Sequence, residues 1–199
     1  MKGKRIPLPS RSCKDILVFW IMTTKLKFSA PEVSQALDRL ARAIVEACES
    51  TQNLMFVGVA DGGVGVAYRL AEKVEESLGR KIPLGIVDVS FHRDDIGSNP
   101  IPKAVVPTKL PPEVEGSSCI LVDDVIFSGR TIRAALNELF DQGRPECVEL
   151  AVLVDRGHRC LPLSPDYVGI ELETTLEQNV EVLVGPTHTL DDHVTVTPL

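Results

Sequence analysis

Apolar residues along this chain switch between two periods, and the switches outline an alternation of helices and strands. Ser29-Ala-Pro-Glu32 has the form of a capping box with an early proline, so a helix is expected to open there. Val33, Leu37, Leu40, Ala41, Ile44, Val45 and Cys48 follow at helical spacing and share one face of about five turns. Leu54–Val59 is instead an unbroken apolar run, which reads as a buried strand. It leads into Gly58, Gly62, Gly63 and Gly65, read as a glycine-rich turn. Helical spacing returns over 66–78 and stops at Gly79, and residues 84–89 read as a second strand before the charged Phe91-His-Arg-Asp-Asp95.

Residues 96–118 carry Pro100, Pro102, Pro107, Pro111 and Pro112 and predict a long connection, a feature that compact domains usually keep for function. Residues 120–122 form the next apolar strand. Ile132, Ala135, Leu136, Leu139 and Phe140 then give a helix closed by Gly143 and Pro145. Residues 148–154 and 180–184 read as further strands, the second of them the last. Continuous apolar strands alternating with amphipathic helices predict an α/β fold with a mostly parallel central sheet flanked by helices. No internal repeat or low-complexity tract interrupts this order.

Composition narrows the function classes. At 199 residues, with 44% hydrophobic and 25% charged, the chain suits one globular α/β domain. A formal net charge of −7 gives no global basic footprint, so any nucleic-acid role must come from a local patch. Cys13, Cys48, Cys119, Cys147 and Cys160 are odd in number and lack C-x-x-C spacing, as in reduced thiols of a cytoplasmic protein. Residues 1–21 stand apart: Lys2, Lys4, Arg5, Arg11 and Lys14 against Asp15 contribute +4, so the remainder carries −11. The apolar run Ile16–Met22 is too short to span a bilayer and lacks a cleavage site, so no membrane partner is expected. Either this is an added extension or translation starts at Met22. The expected organisation is an extension at 1–21, one domain over 22–185 and a C-terminal tail over 186–199.

The chemistry concentrates in Cys119–Thr131, CILVDDVIFSGRT. Ligands of open parallel sheets sit outside the carboxyl ends of the strands, which is where Asp123 and Asp124 are expected. Neighbouring side chains of an extended chain point to opposite sides, so one carboxylate can face a ligand while the other supports the loop. Phe127-Ser-Gly-Arg-Thr131 then leads into a helix. Its first N–H groups, the small Gly129 and the hydroxyls of Ser128 and Thr131 suit a phosphate monoester. A ligand both phosphorylated and rich in hydroxyls, such as a ribose 5-phosphate, satisfies acids and turn together. An acidic strand end followed by an ordinary helix cap is the plainer alternative.

Those thirteen residues resemble the phosphoribosyl-pyrophosphate motif of type I phosphoribosyltransferases. His92–Ile96 (HRDDI), Thr108–Pro111 (TKLP), Gly143–Pro145 (GRP), Leu150–Arg159 (LAVLVDRGHR) and Leu161–Gly169 (LPLSPDYVG) further resemble the PyrR family of pyrimidine-operon attenuation regulators. The likeness spans about residues 26–183 and implies the type I phosphoribosyltransferase fold with a small hood. It also implies uracil phosphoribosyltransferase activity with phosphoribosyl pyrophosphate and Mg2+, the metal held through the substrate and water. Uridine-nucleotide-dependent binding of a pyr leader mRNA and a homodimer or higher homo-oligomer belong to the same implication.

By that resemblance Asp123 and Asp124 contact the ribose hydroxyls, while Val125, Ile126, Phe127, Ser128, Gly129, Arg130 and Thr131 wrap the 5-phosphate. Asp61, Gly62 and Gly63 line the pyrophosphate turn, Arg93 helps close the site, and Asp155 and Arg156 lie against uracil or a uridine nucleotide such as UMP or UTP. Arg39, Arg42, His158 and Arg159 supply the RNA surface. One departure matters. Where the family usually reads Lys-Thr-Arg-Gly, this chain has Ala60-Asp-Gly-Gly63, which removes two cations from the leaving-group side and predicts weak turnover. Beyond Gly169, Glu171–Gln178 is acidic where basic residues are usual. Transfer to another base, or nucleotide sensing without catalysis, remain as alternatives.

Overall fold

The computed structural model describes residues 26–60, 62–89 and 107–199. The expectations for residues 1–21, Asp61, Arg93 and the 91–95 segment lie outside the described residues. A short strand β1 (Leu26–Phe28) precedes helix α1 (Ala30–Cys48), strand β2 (Leu54–Val59) and helix α2 (Gly62–Leu78). Strand β3 (Leu84–Val87), a 3-10 turn at Pro112–Val114, strand β4 (Ser118–Ile126) and helix α3 (Arg130–Gln142) follow. Strands β5 (Cys147–Asp155), β6 (Tyr167–Glu171), β7 (Gln178–Leu183) and β8 (His193–Pro198) complete the order.

The predicted parallel sheet is present, in the order β3-β2-β4-β5-β6, with every pair parallel. All six residues of β2 are buried, which explains its unbroken apolar run. Leu54 and Phe56 join α1 and α2 on one face, and Met55, Val57 and Val59 join α3 on the other. The capping box forms: the Ser29 N–H and Oγ–H both donate to Glu32 Oε2, at 2.8 and 2.6 Å. Gly143 closes α3 by donating its N–H to Leu139 O at 3.2 Å.

Three features differ from the sequence reading. Helix α2 opens at Gly62 rather than in the mid-sixties, so the glycines read as a turn form its first turn. Strand β4 runs on through both aspartates to Ile126, because its ladder with β5 continues past them, pairing Val125 with Val154 and Ile126 with Asp155. The strand at 178–183 is not the last and lies outside the parallel sheet. It belongs to a separate antiparallel sheet, β1-β8-β7.

Residues 186–199, set beyond the domain in the sequence reading, contain β8, the central strand of that small sheet. Val194 packs into the α1–α2 core, and Asp192 meets Arg69 of α2 in a buried ion pair at 2.8 Å. The strand order also sets the site. Chain direction across the large sheet reverses between β2 and β4, and the crevice beyond their carboxyl ends is where ligands of such sheets bind.

Candidate functional site

Asp123 and Asp124 end β4 at that switch point, with different surroundings. Asp123 is 4% exposed, and its Oδ1 accepts the Asp124 N–H at 3.0 Å. Asp124 is half-buried; its Oδ1 accepts the Val125 N–H at 2.7 Å, and its Oδ2 lies against Gly62 at the start of α2. One acid therefore supports the strand end while the other borders the crevice. Burial, and then the charge of Asp124, push the Asp123 carboxyl well above the ordinary carboxylate range; burial also raises Asp124.

The glycines of α2 allow this arrangement. A β-carbon on Gly63 would come within 2.4 Å of Val122 O and 2.9 Å of Asp123 Cα. Helix α2 thus starts directly on the acidic end of β4, and its first turn, Gly62-Gly-Val-Gly65, offers no cationic side chain.

Beyond β4, Phe127-Ser128-Gly129 turns the chain into α3. Gly129 has φ +88°, a left-handed conformation that side chains resist, and it gives α3 no side-chain cap. The Arg133 N–H donates to Gly129 O at 3.0 Å, the first bond of the helix, and the Arg130 N–H to Ser128 Oγ at 3.3 Å. The N–H groups of Thr131 and Ile132 find no acceptor among the described residues, so the turn keeps donors for an external anion. The turn is held from behind: Ser128 O accepts the N–H groups of Cys160 and Leu161 at 3.0 and 3.2 Å.

The other predicted residues divide between the crevice walls and elsewhere. Asp155 ends β5 opposite Ile126, accepts the Gly157 N–H on Oδ1 at 2.8 Å and pairs with Arg159. Arg159 also donates to Phe127 O at 2.9 Å and to Gly157 O at 3.1 Å. His158, at φ +61°, meets Thr174 O at 2.7 Å through Nε2, and its ring lies edge-on to Phe127. Arg156, expected against uracil, instead turns inward behind Phe127 and is 6% exposed. Its guanidinium is taken up by Thr174, Thr175 and Gln178 and is not turned to the crevice. Arg39 donates to Gly169 O at 2.8 Å, and Arg42 to Asp38 O of its own helix at 3.3 Å. The four residues read as an RNA surface are thus attached to two different regions, α1 and the loop after β5.

Sequence reasoning passed over Asp88, a buried acid just beyond β3, whose N–H donates to Thr108 Oγ1 at 3.0 Å. Its signal was available, an acid directly following an apolar strand as in β4. Thr174, Thr175 and Gln178 were also missed; they lie in the stretch read only as acidic, yet they bind Arg156. Among the described residues no cluster of three acids, histidines or cysteines stands ready for a metal, and no helix is long and apolar enough to cross a membrane.

Comparison with known proteins bears on the family and the fold. The family model "Phosphoribosyl transferase domain" matches residues 28–188. A "Bifunctional protein PyrR" of Streptomyces coelicolor is 47% identical over 153 residues, 76% of this chain and 79% of that protein. Another from Citrifermentans bemidjiense is 46% identical over 150 residues, 75% and 85% of the two chains. Among solved structures, hypoxanthine phosphoribosyltransferase from Trypanosoma cruzi, in complex with the product IMP, superposes with a TM-score of 0.59. It shares 18% identity over 76% of this chain and 81% of that one, a likeness of fold.

Proposed function

From the premise that this chain belongs to the phosphoribosyl transferase domain family, and within it to the PyrR family, we propose that it transfers phosphoribose from phosphoribosyl pyrophosphate to uracil. The observation that carries this reading is the meeting of the Asp123–Asp124 pair and the Gly129 turn at the β2–β4 switch. Asp124 faces the ribose hydroxyls, Asp123 holds it there, and the backbone of Val125–Thr131 receives the 5-phosphate. The C1′–N1 bond forms as the C1′–oxygen bond breaks; pyrophosphate leaves with that electron pair, and the N1 proton of uracil passes through solvent to the departing pyrophosphate. Positioning and charge stabilisation supply the rate, with no covalent nucleophile.

Mg2+ suits the hard carboxylate oxygens of Asp124, the acid that borders the crevice, and would be held mainly by the substrate's phosphates, with Asp124 acting through water. When bound it neutralises the leaving group. The first turn of α2 lacks a cation for that task, so turnover is slow. The same absence favours a second reading, in which the pocket chiefly senses uridine nucleotides.

The relatives' name, bifunctional, supports a regulatory role beside transfer. In that role a uridine nucleotide in the crevice governs binding of a pyr leader mRNA, with Arg39, Arg42, His158 and Arg159 as the basic contacts. The deciding experiment incubates the protein with uracil, phosphoribosyl pyrophosphate and Mg2+ and follows UMP. Formation of UMP, abolished by Asp124→Asn, is expected; none at saturating substrate leaves the sensor, whose test is UMP-dependent, salt-sensitive retention of the leader transcript.

A further inference from the structure

A buried cation without a carboxylate partner lies directly behind the anion turn. Arg156 follows β5, yet its guanidinium meets no acid among the described residues. Its Nη2 donates to Thr175 O at 2.9 Å and Gln178 O at 2.8 Å, and its Nε to Thr174 Oγ1 at 3.3 Å. Its Cζ stands 4.4 Å from the centroid of the Phe127 ring, and its backbone N–H donates to Ile126 O at 3.2 Å. The fully buried Arg69 and the half-buried Arg159 beside the same turn differ: Arg69 is paired with Asp192, and Arg159 with Asp155. Arg80 also donates only to carbonyls, those of Thr51 and Gln52, but it is half-buried and lies far from the turn. Burial alone pushes the Arg156 guanidinium below its usual pKa, as expected of a cation whose neighbours offer only partial charges.

Carbonyl oxygens, a hydroxyl and a ring face orient a guanidinium but do not neutralise it. A full counter-charge arrives only with an anion. The ring that Arg156 covers belongs to Phe127, the first residue of the turn whose far end carries the open N–H groups of α3. We propose that Arg156 is a positioning residue for phosphate: its charge backs the turn from inside the protein, and its planar fork locks the turn to the 174–178 connection. The same fork reaches Gln178, the first residue of β7, so the turn and the small sheet share one brace. This inference rests on reading the turn as the phosphate site.

The test uses the full chain and two ligands that differ only by phosphate, UMP and uridine, titrated calorimetrically. The ratio of their dissociation constants isolates the phosphate contribution. Wild type should prefer UMP. Arg156→Met should shrink that preference by about tenfold or more while leaving uridine affinity within about threefold. Arg156→Lys, which restores charge without the fork, should recover much of it. An unchanged ratio in Arg156→Met, equal losses for both ligands, or a Lys variant as poor as the Met variant overturns the proposal. Phe127→Leu serves if Arg156→Met does not fold: it should lower the ratio by a smaller factor, and an unchanged ratio again overturns it. Wild type without any preference for UMP refutes the phosphate site itself, and the role of Arg156 with it.

Discussion

The carboxylate of Asp124 lies so close to the backbone of Gly62 that a β-carbon at position 62 would come within 2.0 Å of Oδ2 and 2.3 Å of Cγ. The acid at the end of β4 and the start of α2 therefore occupy one tightly shared space. Gly62→Ala must displace either the carboxyl group or the first turn of α2. Overpacking of this kind costs about 1–3 kcal/mol. A lower urea midpoint is expected, together with loss of UMP formation beyond what the stability change explains. A Gly62→Ala protein with wild-type stability and turnover would show that the two elements are not locked together.

The aspartate pair also sets how stability depends on pH. Both carboxyls are raised above the ordinary value of 3.8, Asp123 by burial and then by the charge of Asp124. The folded state thus keeps protons that the unfolded chain has already released. The stabilisation from the pair is complete below the unfolded pKa and is lost as pH rises through the folded values. Asp192 and Glu75 are shifted the other way and act only at lower pH. The ligand-free protein should melt at a higher temperature near pH 5 than near pH 8. Asp123→Asn keeps an acceptor for the Asp124 N–H and should flatten that slope; a slope unchanged by the substitution would assign it to other groups.

How far these features were legible in the sequence depended on the range of the interaction. Residues 54–59 declared a buried strand because both faces of β2 are covered, and Ser29–Glu32 declared a helix start because a capping box is local. Strands β1 and β8 were not read, since they find each other only across almost the whole chain, pairing Leu26 with Val196. The acids of β4 looked like a strand end because sequence shows polarity and not the ladder with β5 that carries the strand past them. Within Asp155-Arg-Gly-His-Arg159 the resemblance sets Arg156 against uracil and His158 and Arg159 on an RNA surface. Three dimensions place Arg156 indoors, bound to a stretch that the sequence marked only by its acidity.

Removing Asp192 should be among the most destabilising single changes outside the crevice. Its burial disfavours ionisation, but bonds from Arg69 and Thr189 outweigh this and hold its carboxyl below the usual range. Asp192→Ala strands the Arg69 guanidinium, 3% exposed, without its partner. Breaking one side of such a pair costs about 3–5 kcal/mol. Chemical denaturation should show that loss, and limited proteolysis should cut first near β8. The double change Arg69→Met with Asp192→Leu should regain much of the stability. A single variant within about 0.5 kcal/mol of wild type would mean that the C-terminal segment is held elsewhere.

The leaving-group side offers a gain-of-function test. Ala60 is half-buried in the turn between β2 and α2, its N–H bonded to Val87 O at 2.9 Å, at the position where the family resemblance implies lysine. The bond uses only the backbone, so a longer side chain need not disturb it. Ala60→Lys would bring an ammonium to the mouth of the crevice, opposite the turn proposed to receive the 5-phosphate. A charge-assisted hydrogen bond contributes about 1.5–3 kcal/mol, and a gain of that size in the transition state raises the rate about tenfold or more. Because pyrophosphate gathers charge as the C1′–oxygen bond breaks, the gain should fall mainly on kcat, with a smaller change in the KM for phosphoribosyl pyrophosphate. Steady-state rates of UMP formation for the two proteins decide the matter. A substitution that leaves kcat unchanged would show that the missing cation does not limit turnover, and would move the explanation to the close contact between Asp124 and Gly62.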